Sequence, residues 1–116
     1  MITLEEFLKE TTPHQKTLYY RLEKGIRGFS NFPFIVNKTC ISFRAGNKRN
    51  ICSVAFENQS SITIYTNLLP NDFFDPKNMV LKHCAYGRNS RFYLRKIEEL
   101  GDIINLLQQS YKKNKD

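Results

Sequence analysis

The sequence predicts an α+β fold: an antiparallel sheet of about five strands, with N-terminal helices and a C-terminal helix packed on one face. Three observations predict it. Helix-start signals stand at Thr3 and Thr12, residues 39–67 alternate apolar and polar side chains in three runs split by two polar breaks, and a long amphipathic stripe closes the chain.

Thr3 and Glu6 have the Thr-x-x-Glu spacing of a capping box, which opens a short helix to about residue 9 carrying Leu4, Phe7 and Leu8. Thr12, Pro13 and Gln15 repeat the signal, with proline at the first helical position, where its missing N–H costs nothing. This second helix is expected to run to about Gly25. Leu18, Leu22 and Ile26 recur every four residues, Lys16, Arg21, Lys24 and Arg27 point elsewhere, and Gly25 and Gly28 loosen its end. Residues 29–36 are aromatic but broken by Pro33, which suits an irregular crossing or a short edge strand, with Phe32 and Phe34 plugging the gap between helix and sheet.

Within the meander, Ile41, Phe43 and Ala45 alternate with Cys40, Ser42 and Arg44, and Cys52, Val54 and Phe56 alternate with Ile51, Ser53 and Ala55. Ile62, Ile64 and Thr66 continue the pattern, and residues 46–49 and 57–60 have hairpin-turn chemistry. Pairing across those turns sets Phe43 opposite Cys52, Val54 opposite Ile64 and Phe56 opposite Ile62, so one face becomes continuously apolar. Residues 71–78 have turn composition, and Asp72 and Asp75 are read as bonding their own backbone. Residues 87–90 read as a turn into a strand from Arg91 to about Lys96, whose Phe92 and Leu94 reach the core. Glu98, Glu99 and Asp102 open the last helix and Lys112 and Lys113 close it, in the sense the macrodipole favours, while Leu100, Ile103, Ile104, Leu107 and Tyr111 form its core stripe.

With 116 residues, 41% hydrophobic and 25% charged, the chain suits one domain over residues 1–116, with 1–11 a helical extension and 113–116 a frayed tail. Lys and Arg number 18 against 11 Asp and Glu, a net charge of +7 that favours an anionic partner: nucleic acid, an acidic protein surface or a membrane face. The first residues lack a secretory signal and no run approaches the roughly 20 apolar residues of a spanning helix, which predicts a soluble cytoplasmic protein. Cys40, Cys52 and Cys84 are odd in number and lack close pairs, which argues against a disulfide framework or zinc ribbon and for reduced thiols. His83 and Cys84, adjacent in an extended segment, point to opposite sides and do not make a thiol–imidazole pair. With no phosphate-cradling glycine loop and no closely spaced ligand set, neither catalytic residue, metal nor cofactor is expected, and the chain is read as not an enzyme.

Residues 77–96 hold six cations, Lys77, Lys82, Arg88, Arg91, Arg95 and Lys96, and no acid, with Tyr86 and Tyr93 among them. Arg91, Tyr93 and Arg95 share the strand face opposite Phe92 and Leu94, so burying the latter pair presents the former to solvent. This run is expected to neutralise phosphates, with Lys48 and Arg49 at the first hairpin tip as a second contact and Tyr86 or Tyr93 stacking on an unpaired base. The leading expectation is therefore a non-enzymatic nucleic-acid-binding accessory domain. The alternative is a protein-binding inhibitor or adaptor that docks through Arg44, Thr63 and Tyr65 on the open sheet face.

The order of these pieces resembles a known family. Cys40-Ile41-Ser42-Phe43-Arg44, the strands about Val54 and Ile64-Tyr65-Thr66-Asn67-Leu68, Asp75-Pro76, Tyr86-Gly87 and Leu107-Gln108-Gln109-Ser110-Tyr111 are similar to a small bacterial domain-of-unknown-function family. It is often labelled a "predicted transport protein" and occurs alone or at the C-terminus of restriction-type and predicted nuclease proteins. The likeness spans about residues 12–112. Tyr86 and Gly87 match an aromatic–glycine pair in that family's Gly-His-Trp-Gly-Asn-Gly-Asp-like segment, while Ala85 and Ser90 stand at its His and Asp positions. The resemblance implies an accessory role beside a nuclease, restriction or defence complex, and transport has no counterpart in the residues.

Overall fold

The computed structural model describes residues 2–31, 33–47 and 49–115; Phe32 and Lys48, both singled out above, lie outside the described residues. Both capping boxes form. Thr3 Oγ1 accepts the Glu6 amide at 3.1 Å and opens α1 (Leu4–Leu8), and Thr12 Oγ1 accepts the Gln15 amide at 3.1 Å and opens α2 (Pro13–Arg27). In the second box Gln15 Oε1 also accepts the Thr12 amide at 2.9 Å, so two orphan donors are satisfied reciprocally.

The described residues then form β1 (Phe34–Val36), β2 (Ile41–Arg44), β3 (Asn50–Asn58), β4 (Ser61–Thr66), β5 (Leu81–Ala85), β6 (Arg88–Leu94) and α3 (Leu100–Asn114). The strands make one antiparallel sheet in the order β1-β2-β3-β4-β6-β5. That is six strands against about five expected, because residues 34–36 and the extended residues 81–85 both take edge positions. Phe43 stands opposite Cys52 and Val54 opposite Ile64, as the alternation requires. The ladder between β3 and β4 shifts register after Ala55, so the expected pairing of Phe56 with Ile62 gives way to a bulge.

The β5–β6 turn also differs from expectation. Ala85 pairs with Arg88, so the corner is Tyr86–Gly87 and not residues 87–90. Gly87 takes φ 73°, a left-handed value that costs glycine nothing, and this frees Arg88, Asn89 and Ser90 to enter the strand, with Ser90 opposite Thr66. In the loop before β5, Asp75 accepts the Met79 and Val80 amides at 3.0 and 2.8 Å and Asp72 accepts the Leu69 amide at 2.8 Å, the backbone role read from their turn setting.

Ile41, Phe43, Val54, Ile62, Ile64, Phe92 and Leu94 bury one sheet face against Leu18, Tyr19, Leu22 and Ile26 of α2 and Ile103 and Leu107 of α3. Leu8 of α1 joins this core, and Phe7 meets Phe56 at 5.5 Å between ring centroids. Phe34 meets Phe43 at the same separation on the β1 side. Gly25 does not loosen α2. It sits two residues before the helix end, where a Cβ would come within 2.8 Å of Ile104 Cγ1, so its lack of a side chain lets α3 approach. Nor do residues 113–115 fray, Asp116 lying outside the described residues: α3 runs to Asn114, which is 2% exposed and exchanges hydrogen bonds with Asn67 at 2.8 and 3.1 Å.

Two sets of substitutions check this packing. Val54→Asp or Leu107→Asp, each placing an unpaired charge at a fully buried position, is expected to destabilise the fold by on the order of 4 kcal/mol or more, read as loss of a cooperative thermal transition. Gly25→Leu is expected to lower the melting temperature through overpacking of roughly 1–3 kcal/mol, and adding Ile104→Ala to the same chain to recover part of the loss.

Candidate nucleic-acid interface

Strand β6 sets the geometry. Phe92 and Leu94 are fully enclosed by the helices, so Arg91 and Tyr93 turn to the opposite face, where Arg95 follows in the exposed residues beyond the strand. The Arg95 guanidinium carbon lies 5.3 Å from the Tyr93 ring centroid, a cation–π distance. Tyr93 also divides two clefts. One, of about 480 Å³, is bordered by Leu81, Lys77, Lys96 and the acids Glu98, Glu99 and Asp102. The other, of about 650 Å³, is bordered by His14, Asn58, Ser60, Ser61 and Arg95.

Around Tyr65, opposite Arg91 on β4, the open face is closed by its own side chains. The Tyr65 hydroxyl donates to Glu57 at 2.6 Å, the Arg88 guanidinium carbon stands 4.5 Å from its ring centroid, and the His83 ring lies 4.8 Å away. Arg91 Nη1 is 3.1 Å from His83 Nδ1, and since guanidinium only donates, that nitrogen is the acceptor. Arg91 Nε is enclosed with no acceptor among the described residues. Burial, then the hydrogen bond and charge of Glu57, push the Tyr65 phenol up to about 12. Burial and Glu23 likewise push the Tyr19 phenol upward.

The expected docking residues are corrected by this arrangement. Thr63 is 1% exposed and Tyr65 6%, because the phenol reaching from β4 to Glu57 passes the Ala55–Thr63 pair and because Arg88 and His83 cover its ring. Arg44 is held by Asn50 Oδ1 at 3.1 Å and the Asn47 carbonyl at 2.6 Å.

The cationic run does not stay together. Arg91, Tyr93 and Arg88 reach the open face, but Lys82 stands opposite core-facing Ser90 and points the other way. Lys77 pairs with Asp102 at 2.8 Å, and Lys96 and Arg95 adjoin the acids at the start of α3. Arg49 and Tyr86 are exposed at the opposite end of the sheet, Tyr86 wholly so, in the β2–β3 and β5–β6 connections. Neither Glu57 nor His14 is among the site residues singled out in the sequence, and His83 is singled out only beside Cys84. His83 shares the open face by alternation from Leu81, which pairs with Arg91, and His14 Nε2 lies 2.8 Å from the Arg95 carbonyl. Cys84, the chain neighbour of His83, is exposed, and the ring contacts of His83 go to Tyr65 and Arg91.

Among the described residues no group of three His, Cys, Asp or Glu side chains is placed to hold a metal ion, and no helix is long and apolar enough to cross a membrane. No family model, curated protein or solved structure matches the chain.

The two raised phenols carry a pH dependence. A folded-state value above the unfolded value of about 10 means stability that is complete below pH 10 and lost as pH rises through the folded value. Melting temperature is therefore expected to fall on raising pH from 10 towards 12, and to fall less steeply in Tyr65→Phe, measured by thermal melts across that range.

Proposed function

We propose that the chain is a non-enzymatic nucleic-acid-binding accessory domain whose open β6 face takes an unpaired strand. The observation that carries the reading is the Arg91–Tyr93–Arg95 row, raised above the buried Phe92 and Leu94, with Tyr93 standing between two polar clefts and backed by a guanidinium. A ring placed in this way supplies a stacking surface worth roughly 1–3 kcal/mol per base, and the flanking arginines supply the phosphate attraction. Arg88 adds charge to the same face while it covers Tyr65. A place beside a bacterial restriction or defence nuclease follows from the family resemblance alone.

A second reading, the protein-binding inhibitor or adaptor, is favoured by Phe74 and not by Thr63 or Tyr65. The Gln109 side chain holds both the Phe74 amide, at 2.8 Å, and its carbonyl, at 2.9 Å, while the Phe74 side chain is 75% exposed. A pinned, exposed aromatic beside a groove lined by Pro76, Met79 and Leu106 has the form of an interface anchor.

Titration of labelled single-stranded DNA and RNA at several salt concentrations tests the first reading. Affinity is expected to fall linearly on logarithmic axes, and Arg91→Ala with Arg95→Ala to reduce the slope by about 1.4, from roughly 0.7 per lost phosphate contact on a single strand. No binding at low salt, or a slope indifferent to both changes, removes it and leaves Phe74→Ala as the variant to examine in partner-capture experiments.

A further inference from the structure

The antiparallel order brings distant parts of the sequence to one end of the sheet. Strands β2, β4 and β5 finish there and β3 and β6 begin there, so the β2–β3 and β5–β6 connections lie at the same end with the end of β4 between them. The end of α3 arrives at the same place, since Ser110 Oγ donates to the Ile51 carbonyl at 2.6 Å and Asn114 bonds Asn67. So does the end of α2, where Arg27 lies 5.1 Å over the ring of Phe34, itself opposite Phe43.

This end is strongly cationic. Arg44 and Arg49 come from the first hairpin, Arg88 from the second, and Lys112, Lys113 and Lys115 from the last residues of α3 and its cap. Among the described residues most of the acids lie elsewhere. Glu6, Glu10 and Glu57 line a cleft at the far end with Gln59, and Glu98, Glu99 and Asp102 border the cleft at the start of α3. Asp72 and Asp75 face their own loop's amides, and Glu23, about one turn before Arg27, accepts the Tyr19 hydroxyl at 3.0 Å. The molecule therefore has a charge axis running along the strands.

The same end is poor in stacking surface. Tyr65 is roofed by Arg88, and among the described residues the one wholly exposed ring is Tyr86 at the second hairpin tip. Dense charge beside a single exposed ring suits a sugar–phosphate backbone more than a run of stacked bases, and backbone recognition is indifferent to sequence. The two tips lie three strand spacings apart, about 14 Å at roughly 4.8 Å per strand. That is close to the roughly 12 Å width of the major groove of B-form DNA.

We infer that this end of the sheet docks on duplex DNA through its phosphate backbone, with the two hairpin tips on either side of one groove, as a surface that adjoins the β6 face at Arg88 and is otherwise distinct from it. The inference rests on the nucleic-acid reading above and adds the duplex as its partner. A strand leaving such a duplex past Tyr86 would run on towards Arg91 and Tyr93.

The test uses the full chain with labelled duplex DNA, the corresponding single strand and duplex RNA, each titrated at several salt concentrations. The variants are Arg49→Glu with Lys113→Glu, both at exposed positions, and Arg91→Ala with Arg95→Ala; melting temperatures of each establish that they fold. The first pair is expected to weaken duplex DNA binding by about tenfold or more at low salt and to flatten its salt slope by roughly two. The second pair is expected to leave duplex binding within about twofold while weakening the single strand. Duplex RNA, with its narrow major groove, is expected to bind more weakly. Duplex binding that ignores the Arg49 and Lys113 reversal, single-strand binding without duplex binding, or tighter binding of duplex RNA each overturns this inference and leaves the single-strand reading intact. If no nucleic acid binds at all, both fall.

Discussion

One-sided burial of the β4–β6 pair is the constraint on which the rest of the molecule depends. Ile62 and Ile64 of β4 and Phe92 and Leu94 of β6 are fully enclosed beneath α2 and α3, each such side chain contributing about 1.5–3 kcal/mol. The two helices approach closely on that face where Gly25 admits Ile104 at their crossing. Once the face is committed, strand alternation leaves no choice for the intervening residues. Thr63, Tyr65, Arg91 and Tyr93 all go to the other side, whatever their chemistry.

That other side illustrates how a small domain handles an uncovered sheet. The apolar bulk of Tyr65 is roofed by Arg88 and His83, and its hydroxyl is satisfied by Glu57, so long polar side chains do what a third layer would do elsewhere. Arginine suits this role because its guanidinium lies flat on an aromatic ring while remaining charged. Arg88 and Arg91 thereby cover the sheet and also set its potential, and the enclosed Arg91 Nε is a cost of that double use.

Charge placement is the property that most separates this fold from its composition. A net charge of +7 spread evenly would attract polyanions weakly and without orientation. Here Glu6, Glu10, Glu57, Glu98, Glu99 and Asp102 gather at the α1 and early α3 end, where Lys77 meets Asp102, while Arg44, Arg49, Arg88, Lys112 and Lys113 lie toward the other. An anionic partner approaching such a molecule is oriented before contact, since a field with an axis exerts torque as well as attraction.

The local grammar of the chain determined a good deal. Capping residues at Thr3 and Thr12, the alternation through Ile41, Val54 and Ile64, the stripe of Ile103 and Leu107, and the self-bonding of Asp72 and Asp75 all rest on neighbours within about four residues or on a short hairpin, and all are realised. The same alternation separated Arg91 and Tyr93 from Phe92 and Leu94, so part of the candidate site was legible as well. What was not legible depends on strand order and helix direction. The clustering of Arg49, Arg88 and Lys113, the pairing of Lys77 with Asp102, the turning of Lys82 away from Arg91 and the burial of Tyr65 each join residues far apart in sequence. Periodicity states which face a side chain occupies, but its neighbours on that face are chosen by how six strands and two helices divide a single apolar surface, and only the tertiary structure decides that.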